Sequence, residues 1–271
     1  MLFRSEFRKA VLEELHARPF LPVSTPRRIY HYAFTTTHDD AILDRINLEE
    51  FAKEKNTPPP PADAKFHYFN LNDWRLRWEQ HTEFTTYTWS TGLNAEVPFE
   101  HDDPVKTGEV AFLPPGKLIT ATQIAVIDHT QSIDKLTKFF NSQSLCVIGA
   151  DKGNAEIFGD FYAENEGYTK FILRVINAKP LEAGRLAQRI LEIETYRTMA
   201  LLALPLARNV SPKLREMEKE LTDITHALSI AQGSRTSQDL LKRLSDLLAS
   251  SEAMATRTAL DRKSTRLNSS H

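Results

Sequence analysis

The stretch from Leu181 to Arg208, LEAGRLAQRILEIETYRTMALLALPLAR, limits what this chain can fold into more than any other. Ala183, Leu186, Ala187, Ile190, Ile193, Ala200, Leu201 and Leu204 recur mostly at steps of three and four, which draws one apolar stripe along a helix. Pro180, just before it, suits a first helical turn, where a missing backbone donor costs nothing. The spacing predicts a long, well-buried helix, and such a stripe needs a broad apolar surface to pack on.

Strands upstream can supply that surface. Arg28 to Thr36 (RIYHYAFTT) alternates β-branched and aromatic residues with polar ones, the pattern of a half-buried strand. Between Lys65 and Thr91 come FHYFNL and WRLRWEQHTEFTTYTWS, with Asn72 and Asp73 as the hairpin turn. In the second run Trp74, Leu76, Trp78, Gln80 and Thr82 share one face, and Arg75, Arg77, Glu79, His81 and Glu83 share the other, which is ionic throughout. Lys117 to Ile127 and the runs SLCVIGA, EIFGDFYA and YTKFILRVI read as further strands, the last three joined by hairpin turns at ADKGN and ENEG.

Shorter helices are expected at residues 2–17, after His38-Asp39-Asp40 (AILDRINLEEFAKE), and from Ser132, as cap, to Phe140. Pro58 to Pro61 make a stiff connector, and Leu93 to Pro115 a loop. Beyond Pro205 and Pro212, Leu214, Met217, Leu221, Ile224 and Leu228 step by three and four in heptad fashion; Leu240, Leu241, Leu244, Leu247 and Leu248 resume an apolar seam after Gly233.

The expected class is therefore α+β. A mixed, mainly antiparallel sheet with covering helices occupies residues 1–178, and a long helix plus a coiled-coil-like antiparallel hairpin occupies 179–262. The remaining KSTRLNSSH, residues 263–271, carries no heptad and resembles translated adapter sequence; it is expected to be a non-native tail on a chain truncated at its C-terminus.

Composition removes several function classes. Lys plus Arg total 34 against 36 for Asp plus Glu, so there is no cationic excess to grip phosphates, and nucleic acid is not an expected partner. The N-terminus mixes charges where a secretory signal would be apolar, and the longest uncharged apolar run, Met199 to Ala207, falls far short of the roughly 20 residues of a membrane span. Cys146, the one cysteine, sits in LCVIGA, where a small buried thiol is expected.

Candidate chemistry is sparse. Arg77, Glu79, His81 and Glu83 at period two could bind a charged ligand or supply a general acid and base, and an exposed cross-strand ion network would account for the same residues. His16 and Arg18, in ELHARP, stand where a helix C-terminus favours cations. Glu194 and Arg197 are three apart on the long helix and can pair on one face. His38-Asp39-Asp40 and His101-Asp102-Asp103 suggest a divalent metal only if both triplets meet in space; helix capping and loop solvation are the simpler account, and no metal is expected. Gly149 and Gly153 lack the remainder of any phosphate or dinucleotide loop, and no cofactor is expected.

Five blocks, ELHARPF (14–20), RWEQHTEF (77–84), PPGKLITATQIAV (114–126), GDFYAENEGYTKF (159–171) and QRILEIETYRTMALLALPLAR (188–208), together resemble the bacterial family called domain of unknown function 3422, described as membrane-anchored proteins. The resemblance implies a fragment whose continuation carries the hydrophobic segments; the expectation built on it is the cytoplasmic part of an inner-membrane protein, homo-oligomeric through its heptad helices. The resemblance implies no catalytic residues. The expected role is a binding, sensory or scaffolding module. The alternatives are the regulatory domain of a CorA-like ion transporter, on fold-level analogy alone, and an enzyme using the Glu79/His81/Glu83 face.

Overall fold

The computed structural model describes residues 20–99, 115–163, 167–202, 204–230 and 234–267. The helix expected at residues 2–17, with His16 and Arg18, lies outside the described residues, as do His101, Asp102 and Asp103. The chain divides into two compact units, Met1–Arg197 and Thr198–His271. That division falls inside the long helix, whereas the boundary expected from sequence stood at residue 178.

The first unit is built on one eight-stranded sheet among the described residues: β1 (Arg27–Thr35), β2 (Phe66–Leu71), β3 (Trp74–Gln80), β4 (Phe84–Gly92), β5 (Leu118–Asp128), β6 (Cys146–Ala150), β7 (Ala155–Ala163) and β8 (Tyr168–Val175). Their spatial order is β2-β3-β4-β1-β5-β8-β7-β6. Every neighbouring pair is antiparallel except β5 with β8. The hairpin turn at Asn72 and Asp73 is where the sequence places it. The single long run expected from Trp74 onward is instead two strands: the chain reverses at Thr82 and Glu83, with the His81 N–H donating to the Phe84 carbonyl at 2.8 Å. No Gly, Pro, Asn or Asp marks that reversal, which is why it reads as uninterrupted strand.

Both faces of the sheet are covered. On one, Tyr30, Tyr32, Phe34, Leu76, Trp78, Tyr87 and Trp89 pack on Leu48, Phe51 and Ala52 of α1 (His38–Glu54). Thr37 and Asp40 open α1 with a reciprocal capping box, so the acidic triplet serves as a helix start. Farther along the same face, Ala125, Ile127, Phe158 and Ile172 meet Leu136 of the short α2 (Ile133–Thr137) and Phe140. Ser132 takes the N-cap position of α2, but its hydroxyl makes no capping bond.

The opposite face carries α3 (Pro180–Leu202), whose Leu186, Ala187, Ile190 and Leu191 pack on Ile29, Ile124, Val126, Phe171 and Leu173. The buried stripe stops at Thr195. Ile193 is 60% exposed, and Ala200, Leu201 and Leu204 also face outward, so the helix is buried along its first turns only. Gly184 lets the Leu21–Val23 segment lie directly on α3: a Cβ there would stand 1.8 Å from the Leu21 carbonyl oxygen, and the Val23 N–H donates to the Pro180 carbonyl at 2.8 Å. Cys146 is exposed rather than buried, because β6 is the outermost strand and its side chains lack a covering layer.

In the second unit α4 (Leu204–Ile230) and α5 (Ser234–Leu267) pack on each other, burying Ile224 and Leu240 and pairing Glu220 with Arg243 at 2.8 Å. α5 continues through Leu267, into the residues expected to be a tail. Among the described residues no helix is long and apolar enough to cross a membrane.

Candidate functional site

The face beneath α3 is unusual for a sheet interior because a row of polar side chains crosses it. Strand register aligns Tyr68 of β2 with Arg77 of β3, Arg77 with Thr88 of β4, Thr88 with His31 of β1, and His31 with Thr122 of β5. Thr122 in turn aligns with Thr169 of β8. Side chains alternate along each strand, so this row looks toward α3 while Tyr30, Tyr32, Trp78 and Trp89 look toward α1.

Between this row and α3 lies a cavity of about 90 Å³. Arg77, Glu79, His81, His31 and Thr86 line the sheet side, and Ala187, Gln188, Leu191 and Thr195 line the helix side. The Arg77 guanidinium donates to Glu79 Oε1 at 2.7 Å and to Gln188 Oε1 at 2.8 Å, and it lies over the Tyr68 ring at 5.7 Å. The Gln188 amide then donates to Glu192 Oε1 at 2.7 Å, so one hydrogen-bonded chain ties β3 to α3. Both Arg77 and Glu79 are buried.

His31 is held from both sides, with Nδ1 2.8 Å from Thr88 Oγ1 and Nε2 3.2 Å from Thr195 Oγ1. A hydroxyl can give or take a proton in either bond, so the neutral ring is fully satisfied. Burial, and next the Arg77 charge, pull its pKa down from 6.5 to about 3, which keeps it uncharged at neutral pH. At the margin His81 stacks on Phe84, with ring centres 4.0 Å apart, and Phe84 meets Tyr196 edge-on at 5.8 Å.

Of the residues singled out from sequence, Arg77, Glu79 and His81 come together on the cavity wall. Glu83 does not: it is exposed in the β3–β4 turn, outside the lining. Glu194 and Arg197 pair as expected, through two bonds of 2.8 and 2.7 Å, and the buried Glu194 also accepts from Thr169 Oγ1 at 2.9 Å. They stand beside the cavity and not in its wall. His31, Thr86, Thr88, Gln188 and Thr195 were not singled out. The one available signal was the polar member in each alternating run, His31 between Tyr30 and Tyr32 and Thr88 between Tyr87 and Trp89.

A second buried polar cluster lies on the other face, where Asp44 of α1 accepts from Trp78 Nε1 at 2.9 Å and from the Tyr87 hydroxyl. Burial raises the Asp44 pKa from 3.8 to about 6 against the lowering effect of those two donors and of Arg45. Among the described residues no group of three or more His, Cys, Asp or Glu side chains is placed to hold a metal ion.

A family model matches residues 4–266, nearly the whole chain. The chain belongs to the family described as Protein of unknown function (DUF3422). No curated protein and no solved structure matches it. The chemistry on offer in this DUF3422 chain lies in its own geometry: a small cavity between the sheet and α3, lined by an ion pair, an uncharged histidine and threonine hydroxyls.

Proposed function

We propose that this DUF3422 chain is a binding module of sensory or scaffolding type that holds a small polar molecule between its sheet and α3. The observation behind this reading is the Arg77–Glu79–Gln188 network lining a cavity where apolar packing would serve stability at least as well. Replacing a buried ion pair by well-packed apolar residues is often neutral or stabilising, so the pair does not explain itself as a source of stability. Ligand-observed NMR with small acids, amides, alcohols and amines tests the reading. At least one compound should bind the native chain and lose binding in Ala187→Leu, which fills the cavity; a set that binds neither chain, or both alike, would sink it.

Further readings attach to the same chain. Glu79 and His81 share the cavity wall, which favours an acid–base enzyme as a second reading with Glu83 removed from it; turnover abolished in Glu79→Gln with binding retained is the test. Leu214, Leu221 and Leu228 stand exposed on α4 at seven-residue intervals, which supports a coiled-coil hairpin that mediates homo-oligomers. Leu221→Glu should then lower the mass measured by light scattering. Anchoring to the inner membrane with this portion cytoplasmic belongs to the same proposal, and fractionation of a longer relative tests it.

A further inference from the structure

β6 ends the sheet and lacks the devices that usually protect a sheet edge. Among the described residues it pairs with β7 alone, so alternate N–H and C=O groups along it point away from the sheet. Exposed edges are commonly blunted by charge, proline, a bulge or a cover. From Ser142 to Ala150 there is no charged residue and no proline. The β6–β7 register runs without a shift, and Cys146, Val147, Ile148 and Gly149 are all exposed. At the other end of the sheet β2 has a proline segment beside it, with His67 Nε2 3.0 Å from the Pro58 carbonyl oxygen.

The side chains of β6 leave both layers of the core unfinished. Val147, 48% exposed, stands beside the buried Phe158 on the α2 side, and Ile148, 51% exposed, stands beside Ile157 on the α3 side. A further strand would complete the backbone pairing and cover both side chains at once.

The residues of β6 suit a second copy of themselves. In an antiparallel pair about a two-fold axis at Ile148, Ile148 meets Ile148, Val147 meets Gly149, and Cys146 meets Ala150. A Cβ added at Gly149 would touch nothing within 4 Å, so the half-exposed Val147 of the second copy finds open space there. Charges do not oppose the arrangement. Asp151 and Lys152 fall beyond the paired residues, opposite Leu145 and Ser144, and Glu156, beside Gly149, is held by Arg174 at 2.7 Å.

We infer that β6 pairs with β6 of a second copy, antiparallel about Ile148, and joins two eight-stranded sheets into one continuous sheet. The contact is small, so the dimer forms reversibly. It is independent of the cavity and of the helical contact at Leu221.

Sedimentation velocity on the Leu221→Glu chain, at concentrations reaching about 1 mM, reads this contact apart from the helical one. That chain should pass from monomer to dimer. Adding Ile148→Lys or Ile148→Glu should weaken the dimer at least about tenfold, because like charges then meet on the axis. Residue 148 is half exposed, so the melting temperature should stay near that of the parent. Mixing the lysine and glutamate chains in equal amounts should restore the dimer, an outcome that requires residue 148 to face itself. Register is read by adding Ala150→Cys under an oxidant, which should link Cys146 of one copy to the substituted position of the other. Neither the parent chain nor Cys146→Ser with Ala150→Cys should cross-link, since each thiol then lies about 14 Å from its own mate. A monomer at every concentration, a dimer indifferent to both charges, or no cross-link to Cys146 would overturn the inference.

Discussion

Replacing Asp44 by asparagine should expose a pH dependence that the native chain hides. The Asp44 carboxyl titrates at about 6 when folded, against 3.8 ordinarily, so between those values the folded chain keeps a proton that the unfolded chain has released. Stability from this group is therefore present at low pH and falls as pH rises through the window. His31 runs the other way: its folded pKa is about 3 against 6.5, so the unfolded chain holds the extra proton, and stability rises with pH across that interval. Each group contributes about 1.4 kcal/mol per pH unit while it is the one out of step, and where the windows overlap the two slopes offset one another.

In Asp44→Asn the His31 slope stands alone. The side-chain carbonyl of asparagine can still accept from Trp78 Nε1, and its amide can donate to the Tyr87 oxygen, so the hydrogen-bond geometry survives without a titrating group. The stability of the variant relative to the native chain should climb by about 3 kcal/mol across the Asp44 window and stay level above it. Urea denaturation at closely spaced pH values, followed by tryptophan fluorescence, measures that difference directly, because other titrating groups cancel. A difference that does not change with pH would show that Asp44 titrates alike folded and unfolded, and the burial argument would be wrong.

The remaining predictions concern packing. His31→Gln should show the mirror image of the asparagine variant, losing stability relative to the native chain as pH rises toward 6.5, in the same denaturation assay. Gly184→Ala, which sets a Cβ 1.8 Å from the Leu21 carbonyl, should cost about 1–3 kcal/mol by chemical denaturation. Tyr32→Phe removes one partner of a buried 2.5 Å bond to the Tyr168 hydroxyl and should cost about 1–3 kcal/mol by the same measurement. Ile224→Ala should loosen α4 and α5 by about 2–5 kcal/mol, seen as faster amide hydrogen exchange in those two helices with the strand amides unchanged.

Periodicity carried much of this architecture and little of its chemistry. Strands such as Arg27–Thr35 and Leu118–Asp128, and the start of the long helix at Pro180, were legible because alternation and helical spacing report which side faces a core. The turn at Thr82 and Glu83 was not, because neither residue is a turn former; the one trace of it is the polar run Gln80 to Glu83, on either side of which the large side chains of the α1 face change from even positions (Trp74, Leu76, Trp78) to odd ones (Tyr87, Trp89). Pattern also could not tell that the charged face of β3 lies under a helix. An ionic stripe reads as solvated until something is known to cover it, and the cover, α3, is more than a hundred residues downstream of Arg77. For the same reason Cys146 read as buried: an apolar run announces a strand but not whether that strand is the last in its sheet.

The order of strands in the sheet also bears on how the molecule comes together. β2, β3 and β4 are joined by short reversals, as are β6, β7 and β8, so each trio can zip from contacts close in the chain. β1 has no such neighbour, since its partners β4 and β5 both lie far downstream, and closing those pairings costs more chain entropy than closing either meander. β1, and His31 with it, is therefore expected to join after the two meanders have formed, which hydrogen-exchange labelling during refolding would check. The cavity needs a longer closure still, since α3 meets Arg77 across 111 residues and His31 across 164, so its walls are expected among the late contacts of folding.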